Sequence, residues 1–178
     1  SMRKEAEQIM RTTAVERRSQ IFSATEIDDV PDSPLKGIYQ EQNKRTALSA
    51  IRVLQNSGRW SISEDAVNKG FQNVVSNTGL AGRWQLLQQH PLAIADVAHN
   101  EDGINMVLRQ LADMNFNQLH FVLGMVSDKD ISKVLKLLPT HAEYYFCKAD
   151  IPRGLDSEEL KNQAAEYDLR GQSFDSVK

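Results

Sequence analysis

Gly82-Arg83-Trp84-Gln85-Leu86-Leu87-Gln88-Gln89-His90-Pro91-Leu92-Ala93-Ile94-Ala95-Asp96-Val97-Ala98-His99-Asn100-Glu101-Asp102-Gly103 is the stretch on which the reading of the chain turns. The apolar run Leu92 to Ala95 is followed at once by Asp96, His99 and Asn100. Ile104, Val107, Leu108 and Leu111 then recur at i, i+3, i+4 and i+7, the spacing of one helix face. The pattern is strand, polar turn, helix. In an open α/β sheet, ligands sit outside the carboxyl ends of strands, which places a carboxylate and an imidazole where chemistry or nucleotide binding occurs.

Outward from this stretch the alternation continues. Strands are predicted at Arg83–Leu87, Leu92–Ala95, Leu119–Leu123 and Glu143–Cys147, and helices at Asp102–Met114, Asp130–Leu138 and Ser157–Tyr167. Strands alternating with helices make βαβ units, hence a Rossmann-like, mostly parallel sheet with flanking helices and right-handed crossovers. The first strand is joined to the second by only a few residues, so that pair is expected to be antiparallel.

Toward the N-terminus the pattern becomes helical. Arg3–Arg17 carries Ala6, Ile9 and Met10 on one face, and Gln20–Ala24 reads as a short strand, the two forming a βα remnant. A helix from Asn43 shows Ala47, Ala50, Ile51 and Leu54 on one side and ends at Asn56-Ser57-Gly58. In the next, Ser63 is the N-cap, Ile62 and Val67 form a hydrophobic staple, and Val67, Gly70, Phe71 and Val74 make the buried stripe. The expected division is a helical piece at 1–80 and an α/β domain at 81–178.

The chain has 178 residues and a formal net charge of −3. That length can bury about 70% of the unfolded surface. The charge balance argues against a nucleic-acid binder. One cysteine, Cys147, excludes a disulfide framework and a multi-thiolate metal site, and fits a reducing cytoplasm. No apolar run approaches a membrane span or a signal peptide, so no membrane partner is expected. Ser1 before Met2 reads as an expression scar, and the chain as a piece of a longer one.

Three ordered segments carry a resemblance: Leu35-Lys36-Gly37-Ile38-Tyr39-Gln40-Glu41-Gln42-Asn43, then Gly82-Arg83-Trp84-Gln85 with Asp96-Val97-Ala98-His99-Asn100, then Leu123-Gly124-Met125-Val126-Ser127-Asp128-Lys129-Asp130. Together they resemble the C-terminal portion of the folylpolyglutamate synthase/dihydrofolate synthase family, Mur-ligase-like ATP-dependent amide ligases. The resemblance implies a Mur ligase C-terminal type of fold lacking its last strand and helix, preceded by a truncated end of the central ATPase domain. It implies a monomeric cytoplasmic enzyme using Mg-ATP to add L-glutamate to dihydropteroate or folate polyglutamates through an acyl phosphate. No phosphate-loop motif G-x-x-x-x-G-K-[ST] occurs, so the phosphate loop and metal ligands would lie in a missing N-terminal part, and the piece alone would be inactive. The alternative is a non-catalytic Rossmann-like nucleotide-binding or interaction module.

The resemblance also assigns residues. Asp96 is implied in nucleotide contact, since a carboxylate there can accept both ribose hydroxyls; the alternative is a turn carboxylate bonded to local backbone. His99 is implied as the catalytic or phosphate-facing imidazole, against a plain loop histidine. Arg83 is implied in phosphate contact, against the polar face of an edge strand. Asn43 is implied at the adenine edge, with Gln40 a weaker companion, against a helix N-cap before Lys44. Lys129 and Arg153 are implied as holding the glutamate carboxylate, against solvated loop charges. Val97 and Glu101 depart from the family's Asp-Gly-Ala-His-Asn-Pro, and the missing glycine predicts a looser placement of Asp96 and His99.

Overall fold

In the computed structural model, which describes residues 4–128 and 130–177, packing divides the chain into two units, Ser1–Ala81 and Gly82–Lys178. In the first unit, α1 (Lys4–Glu16) buries no side chain, so Ala6, Ile9 and Met10 make no core face. The strand expected at Gln20–Ala24 does not form. Ser23 Oγ accepts the Thr25 amide (3.4 Å) and meets the Thr25 hydroxyl (2.7 Å), and Ala24–Glu26 is a 3-10 turn. Such local side-chain bonds outcompete a lone strand with no neighbour to pair with.

The second helix, α2 (Gln40–Asn56), starts three residues before Asn43, because the turn closed by the Gln40 amide on the Gly37 carbonyl (2.8 Å) runs straight into it. Its N-cap is Tyr39, which makes no side-chain cap bond, so Asn43 is not a cap. The buried line is also rotated from expectation. Leu48 is 2% exposed, while Ala47, Ala50 and Leu54 face outward and Ile51 is half-buried. Gln40, Lys44, Leu48, Ile51 and Gln55 share one face at helical spacing, and the Arg45 guanidinium pins the segment before it by donating to the Ile27 carbonyl (2.6 Å). The next helix behaves as its sequence says at the start: Ser63 accepts the Ala66 amide (3.2 Å) and Val67 is buried in α3 (Glu64–Gln72). Asn73 interrupts it, α4 (Val74–Thr78) follows, Gly70 is exposed, and Phe71 and Val74 are only half-buried.

The second unit contains two sheets. β1 (Gln85–Gln88) and β2 (Ala93–Ala95) form the antiparallel pair expected from their short connection. α5 (Glu101–Ala112) begins at the cap residue Asn100, whose side chain accepts the Gly103 amide (2.8 Å). β3 (His120–Leu123), β4 (Glu143–Cys147) and β5 (Gly171–Phe174) form a parallel sheet in that order. Between β3 and β4 the expected nine-residue helix shortens to α6 (Ser132–Leu135). Asp130 Oδ1 accepts the Ser132 amide (3.0 Å), and bonds from Leu137 to Val134 and Leu138 to Leu135 tighten the exit into 3-10 geometry. Between β4 and β5 lies α7 (Ser157–Ala165), capped by Asp156 and C-capped by Glu166; the chain then turns at Asp168 (φ 58°), after which Leu169 enters the core.

The strands advance in one direction, so right-handed crossovers put α6 and α7 on one face. That face carries the core: Tyr144 and Phe146, both 0% exposed and stacked at 5.6 Å, pack among Ile104, Leu123, Leu135, Leu160 and Ala164. Side chains alternate across a strand, and the opposite face leaves Val122 58% and Phe174 41% exposed. The buried Tyr144 hydroxyl donates to the Pro139 carbonyl (2.7 Å), and burial raises its pKa well above the ordinary tyrosine value, making it a weaker acid.

β5 is tied back to α7 by the Ser173 hydroxyl donating to Glu158. That bond first, and the neighbouring Lys161 second, hold the Glu158 carboxyl below its ordinary value. A depressed carboxyl stabilises the fold at pH above the unfolded value of about 4.3, and the contribution is lost as pH falls through the folded value. Ser173→Ala is therefore expected to lower the urea midpoint at pH 7 and to have a diminishing effect as pH falls through the folded value and the carboxyl is protonated. Equal shifts above and below the folded value would contradict this.

Candidate nucleotide-facing site

Asp96 follows β2, and β2 pairs with β1 and not with the parallel sheet. Its placement therefore does not come from the carboxyl-end rule for parallel strands, as the sequence suggested. It comes from two backbone amides: Oδ2 accepts the Trp84 N–H (2.8 Å) and Oδ1 the Ala98 N–H (2.9 Å). The half-buried carboxylate thus joins two segments, one carrying Arg83 and the other His99. The turn-carboxylate reading is realised in full, and it is not purely local, because the Trp84 amide lies twelve residues away.

The segment before β1 has the more constrained backbone. Gly82 sits at φ 66° and Trp84 at φ 51°, a region that costs a non-glycine residue about 1–3 kcal/mol. Trp84 is nevertheless held there, with its ring 9% exposed and its N–H on Asp96. Glycine at 82 suits both its φ and the close approach of Val97. Its carbonyl accepts the Val97 amide (2.9 Å), and a Cβ on it would stand 2.4 Å from Val97 Cγ1. Val97 thus closes over the glycine of the facing segment.

Arg83 lies before β1 rather than within it, so the edge-strand reading falls; its side chain is exposed and, among the described residues, has no hydrogen-bond or ion-pair partner. His99 is exposed, with Nδ1 3.1 Å from the Val97 carbonyl. A carbonyl only accepts, so Nδ1 carries the proton. Nε2 then accepts when the ring is neutral and donates to a phosphate oxygen only as imidazolium.

The remaining predicted residues lie elsewhere. Asn43, in the first unit, is exposed, and its amide donates to Gln40 Oε1 (3.1 Å). Gln40 is 4% exposed and lines a hollow of about 260 Å³ together with Lys36, Gly37, Glu41 and Lys44. Asn43 is not among the residues that line it. Arg153 follows β4 in a loop fastened to the loop after β3. Its carbonyl accepts the Ser127 amide (2.9 Å) and its guanidinium pairs with Asp128 (3.1 Å), both side chains being exposed. Lys129 lies outside the described residues. His90, His120 and His141 join neither segment. Among the described residues no group of three or more His, Cys, Asp or Glu side chains is placed to hold a metal ion, and no helix is long and apolar enough to cross a membrane.

Comparison with known proteins agrees with this arrangement. The family model "Mur ligase, glutamate ligase domain" matches residues 82–178, the whole of the second unit. A second model, "Periplasmic binding proteins and sugar binding domain of LacI family", matches residues 32–120, a span that crosses the junction of the two units and stops at the first residue of β3, so it corresponds to no folded body of this chain. The dihydrofolate synthase/folylpolyglutamate synthase of Escherichia coli is 33% identical over 142 residues, covering 79% of this chain and 31% of that protein. A structure of a bifunctional folylpolyglutamate synthase/dihydrofolate synthase with Mn, AMPPNP and L-glutamate bound superposes with a TM-score of 0.67 at 27% identity, over 96% of this chain and 42% of that one. The folylpolyglutamate synthase of Mycobacterium tuberculosis shares the fold, with a TM-score of 0.80 at 20% identity over 97% of this chain and 44% of that one. The chain thus spans less than half the length of each of these proteins. It belongs to the Mur ligase family, with residues 82–178 as the glutamate ligase domain, and is similar to the C-terminal portion of folylpolyglutamate synthase/dihydrofolate synthase.

Proposed function

We propose that this chain is part of an ATP-dependent ligase that joins L-glutamate to dihydropteroate or to folate polyglutamates, and that 1–80 is the end of its central ATPase domain. The observation that carries the reading is the pair of segments bearing Arg83 and His99, joined by Asp96 in a unit that matches the glutamate ligase model end to end. The similar enzyme with AMPPNP, manganese and glutamate bound supports nucleotide, divalent metal and glutamate as the ligands. ATP supplies the phosphoryl group that activates a carboxylate, and the amine of glutamate displaces phosphate to leave an amide. In this scheme Arg83 offsets charge on the phosphates, as an unpaired guanidinium suits. His99, as imidazolium, donates from Nε2 to a phosphate oxygen. Asp96, whose carboxylate can accept hydroxyl donors, takes the ribose hydroxyls.

Asn43 and Gln40 read the adenine edge, and Arg153 with Lys129 receives the glutamate carboxylate, Arg153 exchanging Asp128 for it. Magnesium would be held by groups outside this chain's described residues, which offer no cluster for it. The complete enzyme acts as a cytoplasmic monomer. The test is glutamate-dependent ADP release by the complete polypeptide with dihydropteroate or a folate as acceptor. Asp96→Ala is expected to weaken nucleotide binding by about 10- to 150-fold, corresponding to about 1.5–3 kcal/mol for charge-assisted hydrogen bonds. Nucleotide binding with no ligation on any acceptor would favour a non-catalytic module, and unchanged nucleotide affinity in the variant would remove Asp96 from the site.

A further inference from the structure

We propose that Asp96 is also a positioning residue for Arg83: by holding the Trp84 amide it fixes the direction in which the Arg83 side chain leaves the backbone. This rests on the reading of Arg83 as a phosphate contact and adds to it a dependence between two residues. Arg83 stands between two left-handed positions, Gly82 (φ 66°) and Trp84 (φ 51°). A tryptophan does not hold such a φ unaided. Here the Asp96 carboxylate takes its N–H at 2.8 Å, while the Gly82 carbonyl is held by the Val97 amide at 2.9 Å and the Gly82 amide by Gln85 Oε1 at 2.8 Å. The three hydrogen bonds described to the backbone of the two neighbours of Arg83 come from Asp96, Val97 and Gln85, whereas the Arg83 side chain itself has no partner among the described residues. The direction of its Cα–Cβ bond is set by that backbone. The same carboxylate binds the Ala98 amide at 2.9 Å, so the segment carrying His99 is indexed to the segment carrying Arg83 through one group.

The geometry separates this role from ribose contact. A ribose contact is shared by any adenine nucleotide, whereas the direction of Arg83 matters to the terminal phosphate. Asp96→Asn keeps one acceptor oxygen and turns an amide NH2, itself a donor, toward the other N–H. Asp96→Ser keeps a hydroxyl within reach of the Ala98 amide two residues on but not of Trp84. In the complete polypeptide, the affinities for ADP and for a non-hydrolysable ATP analogue are measured for both variants, for Arg83→Ala and for the doubles, with urea unfolding confirming that each is folded. Both Asp96 variants are expected to weaken the triphosphate about tenfold more than the diphosphate, and this excess is expected to vanish in the Arg83→Ala background. Equal weakening of the two nucleotides, or an excess that adds to that of Arg83→Ala, overturns the positioning role while leaving Arg83 as a phosphate contact. An Arg83→Ala variant that discriminates the two nucleotides as the parent does overturns the phosphate contact and the positioning role together.

Discussion

Replacing Gly171 by alanine is expected to cost the second unit about 3 kcal/mol, because the added methyl meets main chain that cannot yield. A Cβ at this position would stand 1.8 Å from the Tyr144 carbonyl oxygen and 2.5 Å from its carbon. Tyr144 pairs with Gly171 across β4 and β5, and its own ring is 0% exposed, so β4 cannot retreat without lifting an aromatic out of the core. The only other relief is for β5 to move away, which breaks the parallel ladder and pulls Ser173 from Glu158. Urea unfolding measures this directly, as a fall in midpoint with the slope unchanged. A variant as stable as the parent would mean that β5 does not lie against β4 in the register described.

The second large effect is expected at Phe146. Truncation to alanine removes a ring that is 0% exposed, stacked on Tyr144 and in register with Leu123, and is expected to cost about 3–5 kcal/mol. Val122 is the control on the same sheet. It points the other way and is 58% exposed, so Val122→Ala is expected to change stability by less than about 0.5 kcal/mol. Comparable losses at the two positions would show that the sheet is packed on both sides.

Sequence patterning identified what depends on apolar content and missed what depends on close approach. The run Tyr144-Tyr145-Phe146-Cys147 marked β4 to the residue, and the alternation after Gly103 yielded the parallel sheet and the antiparallel pair before it. β5 was missed because Gly171-Gln172-Ser173-Phe174 carries neither β-branched residues nor alternation. Its strand character comes from the lack of a side chain at Gly171, which lets two backbones meet. The buried line of α2 was misphased because it runs through Gln40 and Lys44, residues that a hydrophobic pattern counts as solvent-facing.

The candidate site was legible to a similar degree. Asp96, His99 and Arg83 were singled out by residue type and order, yet nothing in their types says that two amides engage the carboxylate or that one belongs to a tryptophan twelve residues earlier. Trp84 was not singled out at all, because a left-handed backbone angle leaves no trace in residue identity for anything but glycine and, less often, asparagine or aspartate. Val97 was read as a departure that loosens the turn. The structure makes it the side chain that Gly82 leaves room for, so a side chain at Gly82 would meet Val97 fifteen residues on.

The central strand of the parallel sheet has one neighbour made early and one made late. On the ribosome, β4 can therefore find β3 as soon as both have emerged, but its far edge stays open until Gly171 to Phe174 have been synthesised. Until then the nascent chain presents an unpaired aromatic strand, the kind of surface that chaperones hold and that aggregates when they do not.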